Sequence, residues 1–184
     1  QQTTCSTDPA FDMFVLLGAT AQSGGSWVYV TGGNIPHSNT YNPTIDAPGI
    51  YRYCVTGTLP CPTDCAFITI AEPQAPNAGC DEQVDVCSSE NSFSMRSRLQ
   101  CAPGIGGSWF YVDGGYSAHG DFFNPATDLS GTYIYVLQGT APCAADTAAL
   151  LVNVTQLANA GTSATVEACL TQTEVDLFSA LGPN

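Results

Sequence analysis

The chain has 184 residues, of which 44% are hydrophobic and 10% are charged, a balance typical of globular proteins rather than of disordered ones. Its net charge at pH 7 is −13, and its only cationic side chains are three arginines. This charge argues against nucleic acid and anionic membrane surfaces as partners, and the longest apolar runs, 14–17 and 148–152, are far too short for membrane insertion.

Nine cysteines indicate a disulfide framework, because the chain has neither a Cys-x-x-Cys pair nor the clustered histidines of a metal site. The chain opens on Gln1 and Gln2 without an initiator methionine, as a mature chain does after its export signal is removed. We therefore expect an extracellular protein, either secreted or held at a cell surface.

A repeat of 82 residues organises the sequence, without insertion or deletion. Among the segments that recur are Gly-Gly-Ser-Trp at 24–27 and 106–109, Asn-Ala-Gly at 77–79 and 159–161, and a cysteine at Cys5, Cys87 and Cys169. The sequence predicts a first repeat at 1–79, a second at 80–161 and a partial third at 162–184.

The elements expected in the second repeat are short strands, in chain order at 83–87, 92–99, 108–112, 121–123, 132–138 and 147–154. β-branched and aromatic residues fill these runs, and Gly, Pro, Asn and Asp separate them. The alanine-rich stretch 144–149 could form a helix in isolation. Its equivalent in the first repeat leads into Ile68-Thr69-Ile70, which favours a strand.

Aromatic residues at fixed places indicate the kind of sheet packing. Trp27 and Trp109 are expected in the two cores, and a turn before Tyr51 and before Tyr133 is typical of the tyrosine corner of immunoglobulin-like sandwiches. We predict an all-β fold class, with two tandem immunoglobulin-like β-sandwich domains and an extra terminal strand segment.

The repeated motifs Gly-Gly-Ser-Trp, Asn-Pro, Gly-x-Tyr-x-Tyr, Gly-Thr-x-Pro-Cys and Asn-Ala-Gly resemble those of the Ig-like or PKD-like tandem repeats of large Bacteroidota surface and secreted proteins. The resemblance covers the whole chain. It implies a structural role, since such modules serve mostly as stalks, spacers and adhesin arms.

Two pairings are open for the cysteines that recur with the repeat. Joining Cys5 to Cys61 and Cys87 to Cys143 leaves Cys169 unpaired or bonded to another chain. Shifting the phase, to Cys61 with Cys87 and Cys143 with Cys169, leaves Cys5 instead. The first pairing is the expected one.

The four cysteines outside the repeat are placed by hairpin register. A turn between residues 59 and 60 sets Cys54 opposite Cys65, and a turn between residues 90 and 91 sets Cys80 opposite Cys101. Each bridge would contribute about 2 to 4 kcal/mol by restricting the unfolded chain.

The opening segment of the first repeat is apolar on both faces of its expected strand, which is unusual for a strand facing water. We predict residues 1–18 as a donor strand for the sheet of a neighbouring molecule, through the side chains of Phe11, Met13, Phe14, Val15, Leu16 and Leu17. The alternative is that this segment packs in its own domain, with Phe14 and Leu16 against the second domain.

No arrangement of residues indicates catalysis or metal binding, so we expect no enzyme activity, no cofactor and no metal. His37 and His119 are repeat equivalents and are interpreted as structural. Turn capping is the expected role of the recurring aspartates Asp46, Asp128, Asp64 and Asp146. Glycan attachment is a further hypothesis, with Thr147 in Asp-Thr-Ala as the candidate and Asn153 in a sequon.

These observations favour a structural subunit of an extracellular bacterial fibre, assembled head to tail from copies of itself by exchange of a terminal β-strand. The alternative is a stalk or ligand-binding module of a cell-surface adhesin. Tyr116 is the one loop aromatic that the other repeat lacks, and it is the only side chain that favours a ligand site.

Overall fold

A computed structural model describes residues 1–181 of the chain. The fold is all-β, as predicted, with two β-sandwich domains that correspond to the two repeats. The strands of the first repeat are β1 (Gln2–Thr3), β2 (Phe11–Asp12), β3 (Ser26–Tyr29), β4 (Ile35–His37), β5 (Thr40–Tyr41), β6 (Gly49–Val55) and β7 (Asp64–Ala71).

The second repeat has the same elements in the same order. They are β8 (Glu82–Cys87), β9 (Phe93–Ser94), β10 (Ser108–Tyr111), β11 (Ser117–His119), β12 (Phe122–Phe123), β13 (Gly131–Leu137) and β14 (Asp146–Thr155). The strand predicted from the alanine-rich stretch is therefore confirmed as the start of β14. Among residues 1–181, no helix is long and apolar enough to cross a membrane.

Each domain has a five-stranded sheet and a two-stranded sheet. The large sheets have the orders β1-β7-β6-β3-β4 and β11-β10-β13-β14-β8, and the small ones pair β2 with β5 and β9 with β12. The first strand of each repeat runs parallel to the last, with Gln2 opposite Ile70 and Val84 opposite Val152. Because the two strands are parallel, the residues that follow β1 and those that follow β7 lie at the same end of the first domain, and β8 and β14 are related in the same way in the second.

The predicted core aromatics lie where the sequence indicates. Trp27 and Trp109 are buried, and the hydroxyl groups of Tyr51 and Tyr133 donate hydrogen bonds to the carbonyl oxygens four residues earlier, at 2.7 and 2.8 Å. Both tyrosine corners are thereby confirmed. They fix the turn that precedes β6 and β13 onto the strand that follows it.

The opening segments differ from the prediction. Residues Met13–Leu17 and Met95–Arg98 are 3-10 helices that follow the two-residue strands β2 and β9, and they are not continuous strands. Asp12 favours this geometry, because its carboxylate accepts a hydrogen bond from the backbone N–H of Phe14 at 2.8 Å.

The partial third repeat is also different from the prediction of an extra strand. Within 162–181 the structure has turns and a 3-10 helix at Ser179–Leu181, but no strand. In the two longer repeats the equivalent segment pairs with the last strand of the same repeat, and residues 162–181 include no such strand. Residues 182–184 of the predicted segment lie outside the described part of the chain.

Candidate functional site

Three disulfides hold the described chain together. Cys54 is bonded to Cys65 and Cys80 to Cys101, the two pairs that hairpin register predicts. The third joins Cys5 to Cys143, with Cα atoms 5.0 Å apart. The expected pairings of Cys5 with Cys61 and of Cys87 with Cys143 are therefore wrong, and so is the alternative phase.

The Cys5–Cys143 bond lies at the junction between the two domains. Cys5 occupies a tight turn after β1, in which its N–H donates to Asp8 Oδ2 at 2.7 Å. Cys143 occupies the turn between β13 and β14, where its N–H donates to the carbonyl oxygen of Thr140 at 2.9 Å. Both cysteines are buried, so the bond is part of the packed junction rather than an exposed tether.

The chain that connects the domains forms the second part of this junction. Ala78 is completely buried in the core of the second domain, and its N–H donates to Asp146 Oδ2 at 2.7 Å. On one side of it, the carbonyl oxygen of Asn77 accepts from the N–H of Gly104 at 2.8 Å. On the other, Gly79 has a φ of +102° and leaves no room for a Cβ, which would lie 2.8 Å from the carbonyl oxygen of Gln100.

Ala78 therefore fills a socket in the second domain, and we call the segment Asn77, Ala78 and Gly79 that carries it the plug. The role of Asp146 differs from the predicted turn cap, because its carboxylate holds the backbone of the plug. Asp46 and Asp128 do act as turn caps, since they accept from the N–H groups of Asn42 and Asn124 at 2.7 and 2.6 Å.

The equivalent place in the first domain is open. A cavity of about 720 Å³ lies there, and its lining includes Cys61 and Asp64, the repeat equivalents of Cys143 and Asp146. Leu17, Tyr53 and Val55 also line it, in the places of Leu99, Tyr135 and Leu137. Both Cys61 and Asp64 are exposed, and within the described residues no segment fills the cavity as the plug fills its socket.

The turn that carries Cys5 is reproduced at Cys87. The N–H of Cys87 donates to Glu90 Oε1 at 2.9 Å, as that of Cys5 does to Asp8. Its thiol is free, half-buried and 3.2 Å from the hydroxyl of Ser89. A hydrogen bond from this hydroxyl stabilises the thiolate and lowers the pKa of Cys87, which makes the sulfur a better nucleophile in disulfide exchange.

The residues predicted as a donor strand belong to their own domain. Met13 is completely buried in the core of the first repeat, and Phe11, Phe14 and Leu17 pack against the same cluster. Val15 and Leu16 are exposed. The prediction of a free donor at residues 1–18 is therefore wrong, because the 3-10 helix turns the apolar side chains onto their own sheet.

Two other expectations concern polar residues. His37 Nε2 lies 3.1 Å from Asp46 Oδ1, and His119 Nε2 lies 3.5 Å from Asp128 Oδ2, so both histidines hold the same turn in their domains. Thr147, the glycosylation candidate, is exposed on β14. The side-chain amide of Asn153, the residue of the sequon, donates a hydrogen bond to Asp85 Oδ1 at 2.8 Å.

The chain matches no protein-family model and no curated protein. The junction is therefore interpreted from its own geometry. The junction joins successive repeats in two ways, by the Cys5–Cys143 disulfide and by the hydrogen bonds that hold the plug.

Sequence reasoning missed the plug and the inter-repeat disulfide. A signal for both is present in the sequence, since Asn-Ala-Gly is repeated exactly once and the chain has one more cysteine at the Cys5 position than at the Cys61 position. Neither expected pattern included a bond from the first cysteine position of one repeat to the second cysteine position of the next, as in Cys5–Cys143.

Proposed function

We propose that the protein is a non-catalytic structural subunit of an extracellular fibre, in which repeats are joined end to end. The observation that carries this proposal is the Cys5–Cys143 disulfide, which joins the start of one repeat to a late turn of the next. Three disulfides support a non-reducing, extracellular setting.

This bond joins two domains, whereas a disulfide within one repeat, such as Cys5 with Cys61, would have linked only residues of a single domain. The buried plug adds hydrogen bonds to the same junction, so the two domains are held in one relative orientation. An enzyme needs a pocket with convergent reactive groups, whereas a fibre needs a contact that is the same from one unit to the next. The junction supplies the second property.

Exchange of the N-terminal strand is not part of this proposal, because residues 11–17 already pack in the first domain. Head-to-tail contact between copies, through surfaces of the kind that join the two repeats, takes its place. A contact of this kind does not close on itself, and it therefore extends into a filament.

Electron microscopy of the purified chain under oxidising conditions tests the proposal. We expect filaments of uniform width with a regular axial repeat. Dispersed single particles at all concentrations, in oxidising buffer and with the three native disulfides verified by mass, would contradict it.

A ligand-binding module of a surface adhesin is the second candidate. It is favoured by an aromatic pair found only in the second repeat, where Tyr116 stacks on Phe110 with ring centroids 5.2 Å apart. Their equivalents in the first repeat are Asn34 and Val28. Tyr116 is exposed, and flat exposed aromatic surfaces bind sugar rings and other apolar faces. Binding to a glycan array that is lost in Tyr116→Ala would support this candidate.

A further inference from the structure

The open cavity of the first domain and the filled socket of the second are the same site in two states. Ala78, buried in the second domain, has its repeat equivalent in Ala160, which is exposed. Asp146 binds the plug, whereas Asp64 is exposed and caps only the N–H of Cys65 at 3.0 Å. Within residues 1–181, one socket is thus filled, the equivalent socket is open, and a second copy of the plug sequence lies outside any socket.

The recurring cysteines also include one bonded pair and unbonded members. The Cys5–Cys143 bond joins the first cysteine position of one repeat to the second cysteine position of the next repeat. Applied to the remaining recurring cysteines, this rule pairs Cys61 with the first cysteine position of a preceding unit and Cys87 with the second cysteine position of a following unit. These two, together with Cys169, are the free cysteines of the structure.

We propose that the cavity at Cys61 receives residues 159–161 of a second copy of this chain, and that Cys61 forms a disulfide with Cys87 of that copy. The inference rests on the proposed function, and it names the partner and the chemistry of the head-to-tail contact.

The unused plug fits the empty socket by sequence and by shape. Asn159-Ala160-Gly161 repeats the plug residue for residue, and Gly161 has a φ of +81°, in the region where Gly79 also lies. The side-chain amide oxygen of Asn159 accepts from the N–H of Gly161 at 2.8 Å, as that of Asn77 does from Gly79 at 3.0 Å. Gly161 and the side chain of Asn159 thus already adopt the arrangement of their counterparts in the bound plug.

The equivalence of the repeats also assigns the hydrogen bonds of the proposed contact. By equivalence with Ala78 and Asp146, the N–H of Ala160 donates to the carboxylate of Asp64 in the second copy. By equivalence with Asn77 and Gly104, the carbonyl oxygen of Asn159 accepts from the N–H of Gln22. The second copy keeps its own opening segment, so residues beyond Ser163 of the first copy leave the junction.

The bond forms by two exchange steps with a small disulfide as oxidant. The Cys87 thiolate attacks oxidised glutathione, forming a mixed disulfide and releasing one glutathione thiolate. The Cys61 thiolate of the second copy then attacks the Cys87 sulfur, and the second glutathione leaves. Two protein thiols are oxidised and one glutathione disulfide is reduced to two thiols, with the two protons of the protein thiols passing to the two departing glutathione thiolates.

The test uses the full chain with Cys169→Ser, which leaves Cys61 and Cys87 as the free thiols. Incubation with oxidised glutathione is expected to give a ladder of dimers and higher oligomers on a non-reducing gel. Adding Cys61→Ser or Cys87→Ser to this background is expected to remove the ladder. Mixing those two variants is expected to restore a single dimer band, whose peptic digest contains Cys61 bonded to Cys87.

A second pair of variants tests the plug with both thiols intact. Ala160 is exposed in the single chain, so Ala160→Trp leaves the fold unchanged but is too large for the socket. It is expected to slow oligomer formation at least tenfold. Ala164→Trp, placed beyond the plug on an exposed residue, is the matched control and is expected to retain the rate.

Each result decides the inference. Absence of the Cys61–Cys87 peptide, a ladder that persists in the Cys61→Ser variant, or an unchanged rate in Ala160→Trp would overturn it. Filaments that form in electron micrographs without this bond would leave the proposed function standing and the inference wrong. The mixed dimer without any filament would retain the inference and contradict the proposed function.

Discussion

Cys5 is covalently bonded to Cys143 although 138 residues separate them in sequence and each lies in a different domain. The bond couples two folding units that would otherwise unfold independently, because it restricts every state in which either domain is open. Loop-closure entropy for a loop of this size corresponds to about 4 to 5 kcal/mol.

The double variant Cys5→Ser/Cys143→Ser removes this bond without leaving an unpaired thiol. We expect the single cooperative urea transition to separate into two, with a total loss of about 4 to 5 kcal/mol in the free energy of unfolding. Cys54→Ser/Cys65→Ser is the control, since it opens a loop of only 11 residues within one domain. One coincident transition in the first variant, monitored by tryptophan fluorescence and circular dichroism, would show that the domains do not need this bond in order to unfold together.

The role of the plug can be tested by making the same substitution at Ala78 and at its repeat equivalent Ala160. Ala78→Leu adds three carbon atoms to a completely buried position and is expected to destabilise the second domain by about 1 to 3 kcal/mol. Ala160→Leu makes the same change at an exposed position, and urea unfolding of the single chain is expected to be unaffected. Equal effects of the two changes would mean that Ala78 does not fill a socket.

A buried tryptophan distinguishes the two domains. Trp109 Nε1 donates to Asp121 Oδ1 at 3.2 Å, whereas Trp27 Nε1 is buried and has no hydrogen-bond partner among the described residues. The place of Asp121 is taken by Asn39, whose amide donates to Asp12 Oδ1 at 3.2 Å.

Converting this pair to that of the second domain, with Asp12→Ser and Asn39→Asp together, supplies an acceptor for Trp27. Asn39→Asp alone brings two exposed carboxylates together and is expected to destabilise the first domain by about 1 kcal/mol. The double change is expected to recover this loss, so a double-mutant cycle in urea should give a favourable coupling of at least about 1 kcal/mol. Additive effects would contradict the proposed pairing with the indole.

Buried tyrosines give the protein a predictable response to alkali. Burial raises the pKa of Tyr51 and Tyr133 above the ordinary value near 10, and burial together with the hydrogen bond to Glu72 does so for Tyr41. Because the folded-state pKa is raised, the stability that these groups contribute is complete below pH 10. It is lost as pH rises above 10, by about 1.4 kcal/mol per pH unit for each tyrosine.

We expect the free energy of unfolding to fall steeply between pH 10 and 12, and the absorbance of these three phenolates to appear only with unfolding. Tyr133→Phe should reduce the slope by about one third, at a cost of about 1 kcal/mol at neutral pH for the lost hydrogen bond to Leu129. A smooth titration of all tyrosines below pH 11 with the fold intact would contradict this.

Much of the fold follows from local patterns in the sequence. The repeat predicts two domains, and the turn before each Gly-x-Tyr-x-Tyr segment predicts a tyrosine corner. Hairpin register predicts two of the three disulfides. These features depend on residues close in sequence or on exact recurrence.

The rest depends on how the domains meet. The opening segment was predicted as a strand because Phe11 to Leu17 is apolar on both faces, but a 3-10 helix with Asp12 at its start buries the same residues. The Cys5–Cys143 pair depends on the parallel pairing of the first and last strands, which brings the Cys5 turn beside the exit of the chain. Parallel pairing leaves no local signal in the sequence.

The Cys5–Cys143 bond also determines how the protein responds to tension. A force applied at the two ends of the described chain passes directly through this bond, so the long loop between the two cysteines carries no load. Only residues 1–5 and 143–181 can lengthen, to about 150 Å, whereas the chain with the bond opened would reach about 630 Å. The bond thereby reduces the reach of the molecule about fourfold. Of the sandwich strands, only β1 and β14 lie in the segments that carry the load.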